Sequence, residues 1–343
     1  MLALAKIAPV TGGIDFVERE PRQPGPDEAL IEIRAAGLCG SDIQIWKWPP
    51  HLAKRVPVPC VLGHEGAGRV AAIGERVANV RVGDNVSLES HLFCGKCYQC
   101  LTDRAHICVE KASPGVDFDG VFASYVTVPA SILWVNDPDF PAELGAIMEP
   151  FGIGVHAALE GTGVCGLTVA INGCGPIGMM NVAVARALGA LKVIAIEPNP
   201  LRRDTALRMG ADLVIDPLED DAPRRVIDAT RGRGADVVIE YSGQLAGLHN
   251  CIEMLTIGGD LRLCATPTRT VEYDFTVWKK KRPTIHNING RRIWSTWVRA
   301  SDLLREERVD LKPILSHVMP LSEGLKAFDY VFAGEALKPI LIP

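Results

Sequence analysis

Apolar and polar positions follow two rhythms in this chain, and the change falls near residue 150. In the first part, short β-rich runs are separated by glycine and proline: Ala29-Leu30-Ile31-Glu32-Ile33, Gly68 to Ile73, and Val121 to Val128. Alternation of this kind predicts an antiparallel, barrel-like domain. In the second part, strands and helices take turns. Thr168 to Asn172 reads as a strand, Pro176 to Leu188 as a helix, Lys192 to Ile196 as the next strand, and about Leu201 to Met209 as the next helix. Asp212 to Ile215, Asp236 to Ile239 and Asp260 to Cys264 continue the pattern. Such βαβ alternation predicts a parallel sheet covered on both faces, so the fold class is α/β. From about Arg291 the rhythm stops. Two amphipathic helices and a closing strand, Pro339 to Ile342, are expected to return to the first domain. The expected division is 1–150, 151–290 and 291–343.

Composition narrows the class. A chain of 343 residues suggests about two domains and ample core. Hydrophobic content of 48% and charged content of 22% are ordinary for a globular protein. The net charge of −5, from 36 basic and 41 acidic side chains, gives no basic footprint for nucleic acid. Lys279-Lys280-Lys281-Arg282 reads as a solvated face before a strand. The first apolar stretch is too short for a signal peptide. The most apolar region, Val164 to Leu191, is broken by Asn172, Pro176 and Arg186 and reads as a strand and helix, not a membrane span. Ten cysteines without an export signal point to metal ligands and buried thiols in a reducing cytoplasm.

One chemical signal is Gly173-Cys174-Gly175-Pro176-Ile177-Gly178. It follows a strand, opens a helix, and has Glu197 nineteen residues after Gly178 at the end of the next strand. Gly173 allows the tight turn and Gly175 lets the backbone approach a pyrophosphate. The helix start at Pro176 and Ile177 offers unpaired N–H groups to the anion. Glu197 would accept hydrogen bonds from the adenosine ribose and repel a 2′-phosphate, so NAD is expected over NADP. Arg202 is a cofactor-binding candidate that would tolerate NADP, although Arg202 and Arg203 read first as a solvated helical turn.

A second signal is Cys94, Cys97, Cys100 and Cys108, spaced C-x2-C-x2-C-x7-C. Four thiolates at this spacing can close a tetrahedral zinc with no position left for substrate, which orders a surface lobe. A third set is dispersed: Cys39, then His64 and Glu65, then Glu149. Thiolate, imidazole and carboxylate are the zinc-ligand types, and three ligands with one exchangeable position is the catalytic pattern. Each residue alone reads equally well as a core thiol, a hydrogen-bonded imidazole or an exposed acid.

The stretch Gly63-His64-Glu65-x2-Gly68-x5-Gly74-x2-Val77, with the cysteine lobe and the glycine loop in the same order, resembles the zinc-dependent medium-chain alcohol dehydrogenases across essentially the whole chain. The branch of L-threonine 3-dehydrogenases and sorbitol dehydrogenases is nearest, on Ile45-Trp46-Lys47-Trp48, Ser90-His91, Pro150-Phe151-Gly152, Gly290-Arg291 and Thr296-Trp297. The resemblance implies a GroES-like catalytic domain, split around a Rossmann domain. It implies two zinc ions per chain, with Cys39, His64 and Glu149 on the catalytic one and Glu65 able to exchange onto it. Ser41 matches the hydroxyl that passes the proton and His91 a substrate contact; Asp42 is expected, on its chemistry, to orient a zinc-bound ring. The implied reaction moves hydride between a secondary alcohol of a small polar molecule and NAD. A homodimer or homotetramer is implied likewise.

The chain departs from its branch at several positions. Gln44 stands five residues after Cys39, where the branch places a titratable histidine. Ile153 replaces a polar residue, and Arg292 and Ser295 stand where threonine enzymes carry acids. These changes favour an anionic or neutral substrate over a zwitterion, provided that Arg292 faces the site. Threonine, polyols and hydroxy acids all stay open, as does a nucleotide-binding protein without turnover.

Overall fold

The computed structural model describes residues 1–267 and 269–343 and divides into two compact units, Met1–Glu149 with Leu315–Pro343, and Pro150–Ile314. The first unit is β-rich. Its larger sheet runs His317–Pro320, Pro339–Ile342, Glu28–Gly37, Glu65–Ile73, Asn85–Leu88 and Leu133–Val135, with Tyr125–Pro129 also paired to Glu28–Gly37. All of these pairings are antiparallel except that of His317–Pro320 with Pro339–Ile342, which is parallel. A second sheet pairs Ile14–Glu18, Leu2–Lys6 and Cys60–Val61. Both sheets close over one apolar core that includes Leu4, Ile31, Leu62, Leu88, Phe122 and Phe328.

Register in the larger sheet sets the ligands. Gly37 stands opposite Glu65 on one side and Ile340 on the other. A Cβ on Gly37 would collide with the Glu65 carboxylate, so glycine leaves the room in which that acid sits. Gly63 has φ +86°, and a Cβ there would meet the Phe122 ring at 2.4 Å. This turn delivers His64 and Glu65 into the strand.

The second unit is a six-stranded parallel sheet in the order Leu213–Ile215, Lys192–Ile196, Thr168–Asn172, Ala235–Glu240, Leu255–Leu263, Thr284–Asn287. Chain order reverses between Thr168–Asn172 and Ala235–Glu240, as in doubly wound dinucleotide-binding sheets. The strands are near-continuous apolar runs because both faces are covered by helices such as Pro176–Ala187 and Leu245–Met254.

One boundary differs from expectation. Residues 291–314 stay with the second unit, and the chain returns to the first only at Leu315. Arg291 is fully buried, and a Cβ on Gly152 would meet its side chain at 3.0 Å. The Gly290 carbonyl bonds the His156 ring at 2.9 Å. Packing therefore continues after the βαβ rhythm has ended. Among the described residues, no helix is long and apolar enough to cross a membrane.

Candidate active site

Cys39 caps the helix Gly40–Lys47, and Asp42 folds back so that its Oδ2 accepts the Cys39 N–H at 2.9 Å. That box fixes the direction of the thiol. Asp42 is fully buried, and burial raises its pKa against the pull of His64 and the Cys39 N–H. His64 is buried, with Nε2 at 3.3 Å from Ser41 Oγ. Its Nδ1 is buried with no hydrogen-bond partner among the described residues. The ligand atoms of Cys39, His64 and Glu65 all lie within 4.8 Å of one another.

Glu149 lies outside that tight group. Its Oε1 accepts a hydrogen bond from the Ser90 hydroxyl, and both residues are buried. Its charge is felt at Glu65 and at Lys338. His91 is half-buried, its N–H held by Glu89 Oε1 at 2.8 Å. Gln44 is exposed. Sequence reasoning missed Lys338, which is buried, ion-paired with Glu65, and donates to the Leu38 carbonyl at 2.9 Å. A lysine far along the chain, in no motif, gave no signal.

The donor set fits zinc. A thiol, an imidazole with an unpartnered buried nitrogen, and a carboxylate converge, which is a borderline-soft set with room for an exchangeable position. The cysteine lobe fits a closed zinc. Its sulfurs stand 3.5 Å (Cys97–Cys100), 3.8 Å (Cys97–Cys108) and 4.0 Å (Cys94–Cys100) apart. A tetrahedron with Zn–S of about 2.3 Å has edges of about 3.8 Å. Backbone N–H groups of Cys94 and Glu110 donate to Cys108 Sγ, and that of Cys97 donates to Cys94 Sγ. The Cys97 thiol is pulled down to about 6, chiefly by the N–H groups of Cys100 and Val109. All ten cysteines are free thiols.

In the second unit, Gly173 turns with φ +92° and Gly175 caps the helix Pro176–Ala187. Among the described residues, nothing lies within 4 Å of a Cβ built on Gly175, so the cradle is open to a phosphate there. A Cβ on Gly178 would strike the Gly173 carbonyl at 2.1 Å, so glycine lets the helix sit against the turn. Glu197 is buried; Oε2 accepts the Cys174 N–H at 2.8 Å and Oε1 the Asn199 N–H at 3.0 Å. Arg202 stands 3.8 Å from Glu197. The first turn of the helix Pro200–Arg208 is not freely solvated: Arg203 pairs with Asp216 at 2.7 Å and donates to the Glu197 and Pro198 carbonyls. Arg292 is likewise engaged, donating to Glu160 at 2.7 Å. Lys279 and Lys280 are exposed as expected, whereas Lys281 donates to the Glu253 carbonyl at 2.7 Å.

Residues 25–137 match the family described as "Alcohol dehydrogenase GroES-like domain", and 176–306 match "Zinc-binding dehydrogenase". An L-threonine 3-dehydrogenase of Caldanaerobacter subterraneus subsp. tengcongensis is 41% identical over 335 residues, covering 96% of each chain. The chain belongs to the zinc-dependent medium-chain alcohol dehydrogenase family. An L-threonine 3-dehydrogenase of Thermococcus kodakarensis is 38% identical, over 100% of this chain and 98% of its own. The crystal structure of galactitol-1-phosphate dehydrogenase from Escherichia coli is 27% identical, with a TM-score of 0.92 over the full length of both chains. This family member is an NAD-dependent zinc dehydrogenase acting on CH–OH groups of a small molecule, with zinc and NAD as its cofactors.

Proposed function

We propose that the chain oxidises the secondary alcohol of a small polar substrate, with L-threonine as the first candidate. The observation that carries the reading is the convergence of Cys39, His64 and Glu65 within 4.8 Å, beside the Ser41 hydroxyl. In this reading Cys39 and His64 hold the catalytic zinc together with a carboxylate, Glu149 or Glu65. Zinc bound there would supply Lewis acidity that makes an alcohol hydroxyl easier to deprotonate, and bound NAD would supply the hydride acceptor. Ser41 Oγ receives the proton. Gln44 is exposed and cannot titrate, so water carries the proton onward from Ser41. Asp42 holds the Cys39 backbone in place through the helix cap, and Ser90 orients Glu149. The four-cysteine lobe holds the structural zinc. Gly173, Gly175, Pro176, Ile177 and Gly178 seat the pyrophosphate, and Glu197 takes the adenosine ribose.

Relatives named for threonine at 38–41% identity over nearly the whole chain support threonine. Arg292 loses its force as a substrate anchor because Glu160 already neutralises it. A polyol is the second reading, favoured by Ile153 and by the galactitol-1-phosphate dehydrogenase likeness. We place the enzyme in the cytoplasm as a homodimer or homotetramer. NADH formation over L-threonine, polyols and hydroxy acids tests the reading. Turnover of threonine above the others supports it, and no turnover of any alcohol by fully zinc-loaded protein overturns it.

A further inference from the structure

The sheet of the second unit reverses direction between two strands whose last residues, Asn172 and Glu240, stand opposite each other. In open α/β sheets the ligand lies beyond the strand ends at such a reversal. Glu197 serves one side of that point, from the strand Lys192–Ile196. Glu240 occupies the other side and belongs to neither zinc set.

Glu240 is fully buried, and among the described residues it has no ion pair. Its Oε1 accepts hydrogen bonds from Ser242 N at 2.7 Å, Gly243 N at 3.1 Å, Asn172 Nδ2 at 3.2 Å and the Ser242 hydroxyl. Its Oε2 accepts Gly243 N at 3.1 Å. Ser242 Oγ in turn accepts from Gln244 N at 3.2 Å and from Asn172 Nδ2 at 3.3 Å. One carboxyl therefore ties the strand that leads into the glycine loop to the turn 242–244. The packing is close: a Cβ on Gly173 would meet Ser242 N at 2.7 Å, and one on Gly247 would meet Ser242 Oγ and Asn172 Nδ2 at 2.6 Å. A buried acid without a cation is an expensive way to end a strand, and an apolar residue would stabilise the core better. Burial raises the Glu240 pKa even against these donors. The expense makes sense where the acid serves a site.

We propose that Glu240 is a positioning residue of the dinucleotide site, fixing the turn 242–244 against Gly173 before the cofactor arrives. The floor of the crevice on the side away from Glu197 is thus formed in advance, and the part of NAD beyond its adenosine half benefits. This role is independent of which alcohol is oxidised.

The test uses full-length, zinc-loaded protein and two variants, Glu240→Gln and Ser242→Ala. Glu240→Gln keeps the size but turns an acceptor into a donor facing the Gly243 N–H. NADH affinity is read by fluorescence titration and 5′-AMP affinity by calorimetry. AMP carries the adenosine half and lacks the part of NAD beyond it. NADH binding should weaken by about tenfold in Glu240→Gln and about threefold in Ser242→Ala, with AMP affinity held within about twofold in both. A merely structural defect would weaken both ligands together. NADH affinity within about twofold of the parent in Glu240→Gln, or equal losses for AMP and NADH, overturns the proposal. Should Glu240→Gln fail to fold, Ser242→Ala decides by the same split, its expected loss lying above that limit.

Discussion

Lys338 pairs with Glu65 inside the first unit, and both side chains are almost wholly shielded from water. The lysine stands just before the strand Pro339–Ile342, and the acid stands next to His64. The residue that leads into this strand therefore supplies the counter-ion to a residue of the candidate zinc group. Burial disfavours the ammonium, but Glu65, Cys39 and Glu149 outweigh it and hold its pKa above the usual lysine value. The lysine stays charged, so Glu65 is shared between a metal position and a fixed cation.

Removing that cation strands a carboxylate in a dry site. Lys338→Met should lower unfolding stability by about 3–5 kcal/mol, read as a lower denaturant midpoint. Lys338→Met combined with Glu65→Leu should recover most of the loss, because the orphaned charge goes with its partner. A double variant no more stable than the single one would show that the pair does not set the stability.

The two cysteine sites should respond differently. The parent should hold two zinc ions, one in each ligand group, and either variant should hold one. Cys97→Ala opens a closed four-thiolate site, so the lobe loses its metal and the melting temperature falls by about 5 °C or more. Cys39→Ala should keep a melting temperature near the parent's and lose alcohol-dependent NADH formation. Metal analysis with thermal melts checks both. An unchanged melting point in Cys97→Ala would remove the structural role of the lobe.

What could be read in the chain alone was chemistry at fixed local spacing. The glycine loop after Thr168–Asn172 and the four cysteines are each written in one short stretch, and the backbone has few other ways to use them. The strands Lys192–Ile196 and Pro339–Ile342 were legible from apolar runs bounded by turn residues. Relationships across the chain were not. Lys338 reaches Glu65 only because Ile340 and Glu65 flank Gly37 in one sheet. Nothing local marks Glu240 as more than a strand end, since its role arises from the Ser242 turn and Asn172. The 291 boundary failed because periodicity reports secondary structure. Burial of Arg291 against Gly152 is tertiary and carries no period.

Acid should act on the second unit through Glu160. Burial works to raise its pKa, but Arg292 and His156 outweigh burial and hold it below the usual 4.5. A carboxyl depressed in the folded state stabilises fully above its unfolded pKa. That contribution is lost as pH falls below 4.5 and through the folded value. Arg292 is half-exposed, so solvent screening limits the pair to about 0.5–1 kcal/mol. Arg292→Ala should be less stable than the parent by that amount at pH 7, and the difference should shrink on acidification below pH 4.5. Denaturant titrations at several pH values measure it, and a difference that stays constant with pH would exclude the pair as its source.

The last prediction concerns the choice between NAD and NADP. Glu197 lodges a buried carboxylate at the end of Lys192–Ile196, held there by the N–H groups of Cys174 and Asn199. A 2′-phosphate brought to that place meets a fixed negative charge and no longer offers it the 2′-hydroxyl donor. Glu197→Ala should reduce the NAD-to-NADP ratio of kcat/KM by about tenfold to a hundredfold, equivalent to about 1.4–2.7 kcal/mol. The two neighbouring arginines then differ. Arg203 is committed to Asp216 and two carbonyls, so adding Arg203→Ala to Glu197→Ala should not alter the NADP rate beyond its effect on stability. Arg202 has a buried Nε with no hydrogen-bond partner among the described residues and is released when Glu197 goes. Adding Arg202→Ala should therefore abolish the NADP activity that Glu197→Ala gained. Steady-state kinetics with both cofactors checks each step, and an unchanged ratio in Glu197→Ala would remove Glu197 as the discriminator.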